Sequence, residues 1–457
     1  MSFIKSYGVA LPYYRIEDSI INPLLKKSGS KTVCNTDEDI ITLAYDAIMQ
    51  CIISDNLNID AVFFATNSPI LRNCYHSTIV ADLAGIEKSV FCLDFIGTDR
   101  SGTDALLLAN ELVNSGKYKN IIVVASEVKY SAIGDELIAN AGHGACAILI
   151  SNENGLAEID DSTNIGSHIS EEFIYKNNEI KLDARYSRDA GFKKNIDEVI
   201  KYIQKYKESC EKIVLNSKYS KLAVGQFLKS GFKDTQFSKD NISPISGNTG
   251  VANSFFQIIN EIENGTNSIL LIDYTNGSNI FYIKSFNNSL KILKNKLGNF
   301  GNIKSYQDYL KLRKEGNFNS IKYKTKDIFS SEMMNEREKE SFIRLKGIKC
   351  KNCGTSYFIK TEKCKKCKSE NFEKVQLSNK GKVYSFTKEH YFPVSFPPVT
   401  MLVVDLDGGG RITVQQTNCM YPIENNLSIG SQVQLVLRKM NEQDSKPNYF
   451  LKAVEIK

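Results

Sequence analysis

A strand that is apolar at every position needs cover on both of its faces, and this chain carries several. Residues 61–65 (AVFFA), 121–125 (IIVVA) and 145–150 (ACAILI) have no polar side chain, and 90–95 (VFCLDF) has one. Between them run helix-like stretches. Ile41, Ala44, Ile48 and Cys51 or Ile52 recur near the 3.6-residue period, after helix-starting oxygens at Asn35, Thr36, Asp37, Glu38 and Asp39, and 77–84 reads as a further helix. Buried strands alternating with helices predict an α/β architecture with a sheet covered on both sides.

A similar order recurs more loosely downstream. Residues 195–206 and 222–228 are helical in pattern, 212–215 is a short strand, and Gly247-Asn248-Thr249-Gly250 opens a helix to 262. Strands at 268–272 and 280–283 complete a second α/β half. From 287 to 340 the sequence is polar and rich in Lys, Asn and Ser, which predicts a surface linker with one helical patch at 305–313. The tail alternates strands (382–386, 401–406, 411–416, 432–437, 450–456) with turns, which predicts a small barrel of OB type.

No apolar run among the 457 residues approaches the roughly 20 needed to cross a bilayer. The N-terminus MSFIKSYGVALPYYRI lacks the order of a secretory signal, and most of the seven Cys outside CxxC pairs sit inside apolar segments. The expectation is a soluble, cytoplasmic chain with no membrane contact. The net charge of +6 is modest, and the Lys-dense stretch 284–382 suits a phosphate-bearing ligand, nucleic acid or solubility alike.

Two places carry chemistry. In SVFCLDFIGTDRSGTDALLL (89–108) an apolar strand breaks at Gly97 and restarts as a helix after Gly102, the kind of turn on which a helix N-terminus activates a nucleophile. The turn carries Thr98, Asp99 and Arg100 and no Cys. Asp99 reads first as a helix-cap or turn residue, ahead of a catalytic one, and Cys92 reads as strand packing. Cys350-x-x-Cys353 and Cys364-x-x-Cys367 supply four thiolates for a tetrahedral, structural zinc with no position left for substrate. His143, between two glycines, is open to a proton-transfer role or a structural one.

Several motifs resemble one family in order along the chain: MSFIKSYGVALPYYRI, DEDIITLA, FFATNSP, DFIGTDRSGTDAL, GHGACAILI and GNTGVANS. Together they are similar to the hydroxymethylglutaryl-CoA synthase branch of the thiolase superfamily. RLKGIKCKNCG, CKKC, VVDLDGGGRI and YFLKAVEI resemble the zinc-ribbon and OB-fold domain that accompanies thiolase-like proteins, here fused. The resemblance implies a thiolase-like duplicated αβαβα domain in two halves (1–165, 166–285), a linker (286–343), a zinc ribbon (344–378) and an OB barrel (379–457). It also implies CoA or acyl-CoA as ligand, a homodimer through the thiolase-like domain, and a thiolase-like partner protein.

The family's nucleophilic Cys, acid/base Glu and His fall at Asp99, Asn67 and Asn216, and the Asn that polarises the thioester carbonyl is kept as Asn248. A carboxylate is a poor acyl acceptor from a thioester, and Asn exchanges no proton at neutral pH. The expected function is therefore a scaffold or acyl-CoA-handling subunit beside an active partner. The alternative is an acyltransferase or condensing synthase using other residues, such as Asp99 as a base with His143 nearby. Arg411, after Gly408-Gly409-Gly410, is either part of a flexible hairpin or a ligand for CoA phosphates. A single-strand nucleic-acid binder using Tyr384, Phe386, Tyr391, Phe392 and Phe396 is the least favoured reading.

Overall fold

The computed structural model describes residues 1–22, 29–52, 57–87, 89–130, 140–175, 178–286, 290–313, 332–391, 396–421, 427–441 and 447–456. Phe392, and the linker residues 287–289 and 314–331, lie outside them. The chain divides into two compact units. The first holds Met1–Val33, Leu43–Asp82 and Ile86–Lys304, and the second holds Cys34–Thr42, Leu83–Gly85 and Ser305–Lys457.

The first unit is built on nine strands: β1 (Ser2–Ala10), β2 (Ala61–Ala65), β3 (Phe91–Phe95), β4 (Asn120–Glu127), β5 (Gly144–Ser151), β6 (Ala157–Gly166), β7 (Lys212–Asn216), β8 (Ser268–Tyr274) and β9 (Gly277–Ser285). Their spatial order is β7-β8-β9-β6-β1-β5-β4-β2-β3. From β3 inward the N-terminal half pairs parallel, parallel, antiparallel, antiparallel. From β7 inward the C-terminal half pairs parallel, antiparallel, antiparallel, the same pattern less one outer strand. The halves meet where β1 pairs β6 over Ser2↔Ile159, Phe3↔Glu158 and Ile4↔Ala157. The all-apolar strands β2 and β5 are buried along their whole length, as their composition requires.

Helices fill the space the strands leave. Those that matter below are α1 (Ile40–Cys51), α2 (His76–Leu83), α3 (Ser101–Asn114), α4 (Asn253–Asn264) and α5 (Ile292–Gly298). Leu106, Ala109 and Val113 of α3 share one hydrophobic core with Phe255, Ile258 and Ile262 of α4. Gly102 makes the approach of α3 feasible: a Cβ there would lie 2.4 Å from the Val251 carbonyl oxygen.

Two local features depart from expectation. The 90–95 run is an edge strand, paired only with β2 among the described residues, and Phe91 stays 44% exposed. Its apolar residues mark an uncovered edge rather than a buried centre. The polar stretch after residue 287 is also not all surface. Leu293 of α5 and Ile303 are buried, as are Tyr309 and Leu312 in the second unit. A long-range cap holds the start of α5: the buried Glu263 carboxylate accepts the Leu293 and Lys294 backbone N–H groups at 2.7 and 3.2 Å, and the Tyr7 hydroxyl at 2.8 Å.

In the second unit, strands β10 (Lys346–Cys350), β11 (Ser356–Tyr357) and β12 (Phe372–Gln376) form a small ribbon. Strands β13 (Lys380–Glu389), β14 (Val399–Leu406), β15 (Arg411–Gln415), β16 (Gln432–Asn441) and β17 (Asn448–Glu455) form a sheet in the order β15-β14-β13-β16-β17. A bridge between Gln416 and Ala453 nearly closes it into an OB-like barrel. Against this barrel the acidic run is paired residue by residue. Asp37 accepts the Lys452 ammonium at 2.8 Å, Glu38 lies 3.0 Å from Arg438, and Asp39 lies 3.8 Å from Lys439.

Candidate active site and zinc centre

The turn between β3 and α3 is closed by reciprocal bonds: Ser101 N–H donates to the Thr98 carbonyl (2.9 Å), and Thr98 N–H to the Ser101 hydroxyl (3.2 Å). Asp99 is thereby fixed at the head of a 14-residue helix, and its Oδ1 accepts the Asn67 side-chain amide at 3.1 Å. Two of the residues singled out by motif thus hydrogen-bond to each other.

Behind Asn67 stands a carboxyl group that the motif comparison passed over. Glu127 closes β4, and its Oε2 accepts the Asn67 backbone N–H at 3.1 Å. Its Oε1 is buried with no partner among the described residues. Burial, reinforced by the nearby charge of Asp99 and opposed by a Ser68 hydrogen bond, pushes the Glu127 carboxyl up to about 7. Gly250, in a left-handed conformation (φ 55°), passes so close that a Cβ would sit 2.8 Å from the Glu127 Cγ.

Asn216 is held within the protein. Its amide donates to Asp273 Oδ1 (2.9 Å) and the Ser254 hydroxyl (2.8 Å), and its oxygen accepts from Asn253 (2.8 Å). Asp273 in turn accepts the Thr103 hydroxyl at 2.7 Å, and burial pushes its carboxyl up to about 6. Thr103, on the first turn of α3, ties this network to the Asp99 turn. Asn248 is exposed. Its Oδ1 accepts the Gly250 N–H at 2.9 Å, and its backbone joins the 140–142 segment on both sides. No described residue takes its Nδ2 hydrogens.

His143 is buried, edge-on to Tyr130 at 4.5 Å between ring centroids, with Nε2 3.3 Å from the Lys129 carbonyl oxygen. Arg411 is engaged by its own barrel: Nε and Nη2 donate to Asp405 at 2.6 and 2.9 Å, and the guanidinium lies 3.6 Å over the Tyr384 ring. Sequence motifs missed Glu127 and Asp273. The available signal was an acid at or near the C-terminal end of a largely apolar strand, where buried carboxylates need a reason to be.

The four ribbon cysteines converge, their Sγ atoms all within 4.8 Å of one another. Cys350–Cys367 and Cys353–Cys364 are 3.6 and 3.5 Å apart. Tetrahedral zinc with bonds of about 2.3 Å sets sulfurs about 3.8 Å apart, so the donor set fits that metal. Each knuckle closes alike: the N–H four residues after its first Cys donates back to that Cys carbonyl, from Gly354 at 2.9 Å and from Lys368 at 2.8 Å. Both residues have positive φ, 72° and 62°.

Comparison with known proteins accounts for most of the chain. Residues 343–373 match the family model described as ChsH2, rubredoxin-like zinc ribbon domain, and 374–438 match ChsH2, C-terminal OB-fold domain. The hydroxymethylglutaryl-CoA synthase of Picrophilus torridus is 24% identical over 299 residues, 61% of this chain and 85% of that protein. That of Thermoplasma volcanium is 24% identical over 54% of this chain and 76% of its own length. A structure of MvaS in complex with 3-hydroxy-3-methylglutaryl coenzyme A superposes with TM-score 0.57, at 16% identity over 69% of this chain and 92% of its own. The 3-oxoacyl-[acyl-carrier-protein] synthase III of Aquifex aeolicus superposes with TM-score 0.53, at 16% identity over 62% of this chain and all of its own. The chain thus joins a thiolase-like α/β fold with hydroxymethylglutaryl-CoA synthase-like homologues to a zinc ribbon and OB-like barrel of the ChsH2 kind.

Proposed function

We propose that this chain handles acyl-CoA thioesters without forming an acyl-enzyme, as a subunit working beside an active thiolase-like protein. The observation that carries the reading is the Asn67–Asp99 hydrogen bond, which fills the nucleophile and acid/base positions with a carboxylate–amide pair. A thiolate attacks a thioester and leaves again, whereas a carboxylate would form a high-energy anhydride. Asn216, with both sides of its amide bonded, adds no proton-transfer group. The exposed Asn248 amide supports retention of a carbonyl-binding position.

A CoA ligand is proposed from the MvaS complex, whose described ligand is a CoA thioester. The exposed, apolar edge strand β3 supports pairing with a second copy. The division at 165, 285, 343 and 378 belongs to the same reading. Arg411, with Nε and Nη2 on Asp405, would meet a phosphate through its remaining N–H groups.

The test is to incubate the purified chain with acetyl-CoA and acetoacetyl-CoA, with and without a thiolase partner. Free CoA release and the intact mass of the chain are followed. The expected result is acyl-CoA binding, no acylated chain, and turnover only with the partner, reduced by Cys350→Ser. An acyl group on the chain would refute the reading.

A further inference from the structure

Outside the paired motif positions, the first unit holds a fully buried acid, Glu127, with one oxygen unused among the described residues, and it lies in contact with Asn67. Asn67 is gripped from both sides, its side chain by Asp99 at 3.1 Å and its backbone by Glu127 at 3.1 Å. The Glu127 Oε1 is buried and unpartnered among the described residues, which is costly for a carboxyl group that does nothing. The turn covering Glu127 is the one that carries Asn248, joined through Gly250.

We propose that Asp99 and Glu127 form a two-carboxyl acid–base site through which the chain exchanges the α-protons of a bound acyl-CoA thioester with water. The inference rests on the acyl-CoA reading above. Asp99, half-exposed at the head of α3, is the catalytic residue. The α-carbon C–H bond breaks and its electron pair becomes the C=C bond of an enolate. The carbonyl pair moves to oxygen, and an O–H bond forms on Asp99. Asp99 exchanges that proton with water and returns a solvent hydron to the carbon, so nothing is oxidised or reduced and the thioester is regenerated. The positive end of α3, at whose head Asp99 stands, is the group at hand for the enolate oxygen.

Glu127 is a positioning residue. Protonated, it leaves the pair with one negative charge; ionised, it adds a second beside a developing anion and opposes it. Among the described residues the charged groups acting on it are Asp99, from the head of α3, and Lys129, from the continuation of its own strand. Asn67 and Ser68 bring only hydrogen bonds, the Gly250 turn brings no charge, and the His143 ring lies against Tyr130 and the Lys129 carbonyl. Burial lifts the Glu127 carboxyl to about 7, which places the change within the working range of pH.

The experiment uses the full zinc-loaded chain and acetyl-CoA in D2O between pH 5.5 and 9. Binding is followed by calorimetry and α-deuteration by mass spectrometry. The expected result is exchange above the protein-free background that falls as pH rises through about 7. Asp99→Asn lowers it about 100-fold, the usual scale for a lost general base. Glu127→Gln removes the falling limb, whereas a merely structural Glu127 would scale the rate equally at every pH. Cys92→Ala leaves exchange unchanged. Acetyl-CoA bound with no exchange at any pH overturns this inference and leaves the acyl-CoA reading standing. Absence of binding overturns both.

Discussion

Replacing Asp37 by Asn tests the acidic run of the second unit with little change in side-chain size. In the native chain Asp37 Oδ2 accepts the Lys452 ammonium and the Thr417 hydroxyl, both at 2.8 Å, and Arg438 lies 4.0 Å away. Burial alone would raise the Asp37 pKa, but the charges of Lys452 and Arg438 and the hydrogen bonds from Lys452 and Thr417 outweigh it and hold it below the usual range. The substitution leaves a buried ammonium without its carboxylate. Breaking a buried pair by removing one partner costs about 3–5 kcal/mol. Arg438 keeps Glu38 at 3.0 Å, so the lower end, about 3 kcal/mol, is expected here. Converted at about 1.4 kcal/mol per tenfold, that is on the order of 100-fold less protection against amide exchange in β16 and β17 at pH 7. Lys452→Met on top of Asp37→Asn should add much less than it does alone, with a coupling of at least about 1.5 kcal/mol. The group's folded pKa is depressed, so its contribution is full above the unfolded carboxylate value of about 4 and fades as pH falls through the folded one. A protection loss below threefold, or strict additivity with Lys452→Met, would show that the buried pairs are not what holds the run to the barrel.

Three further outcomes follow from the geometry. Lys368→Gly should stabilise the ribbon by about 0.5–1 kcal/mol, because a positive φ of 62° burdens a side chain that Gly354 avoids at the equivalent place, and slower zinc release to a chelator measures it. Full chelation should remove one zinc per chain and abolish exchange protection in β10, β11 and β12 while β2 and β5 keep theirs, as seen by peptide-level exchange. Glu263→Gln should cost about 2–3 kcal/mol in urea unfolding, since two backbone N–H groups at the start of α5 lose their charged acceptor.

The buried apolar strands and the two CxxC pairs were legible from sequence because each leaves one physical solution: cover on both faces, and a shared metal. Asp99, Asn67, Asn216 and Asn248 were singled out by resemblance, and the structure adds what motif cannot carry, the hydrogen-bond partners of each side chain. The edge position of β3 was hidden because an apolar run reads alike whether the strand is central or awaits a neighbour. The buried anchoring of α5 was hidden because its cause, Glu263, lies about thirty residues upstream. Glu127 escaped because a single acid after seven strand residues looks like the start of a turn, and only the fold shows it under Gly250.

The Asn216 network bears on reversibility. An amide that serves Asp273, Ser254 and Asn253 at once has become part of the masonry, so a histidine introduced there must first dislodge three neighbours before it can serve a substrate. A cysteine at position 99 would meet the Asn67 amide rather than an acid, and an acid at position 67 would face the carboxyl groups of Asp99 and Glu127. On the reading proposed above, each single substitution toward condensing chemistry is therefore unfavourable until the others have been made. On that reading the arrangement resists piecemeal change, because the side chains at 67, 99 and 216 are each held by a neighbour that a single substitution leaves in place.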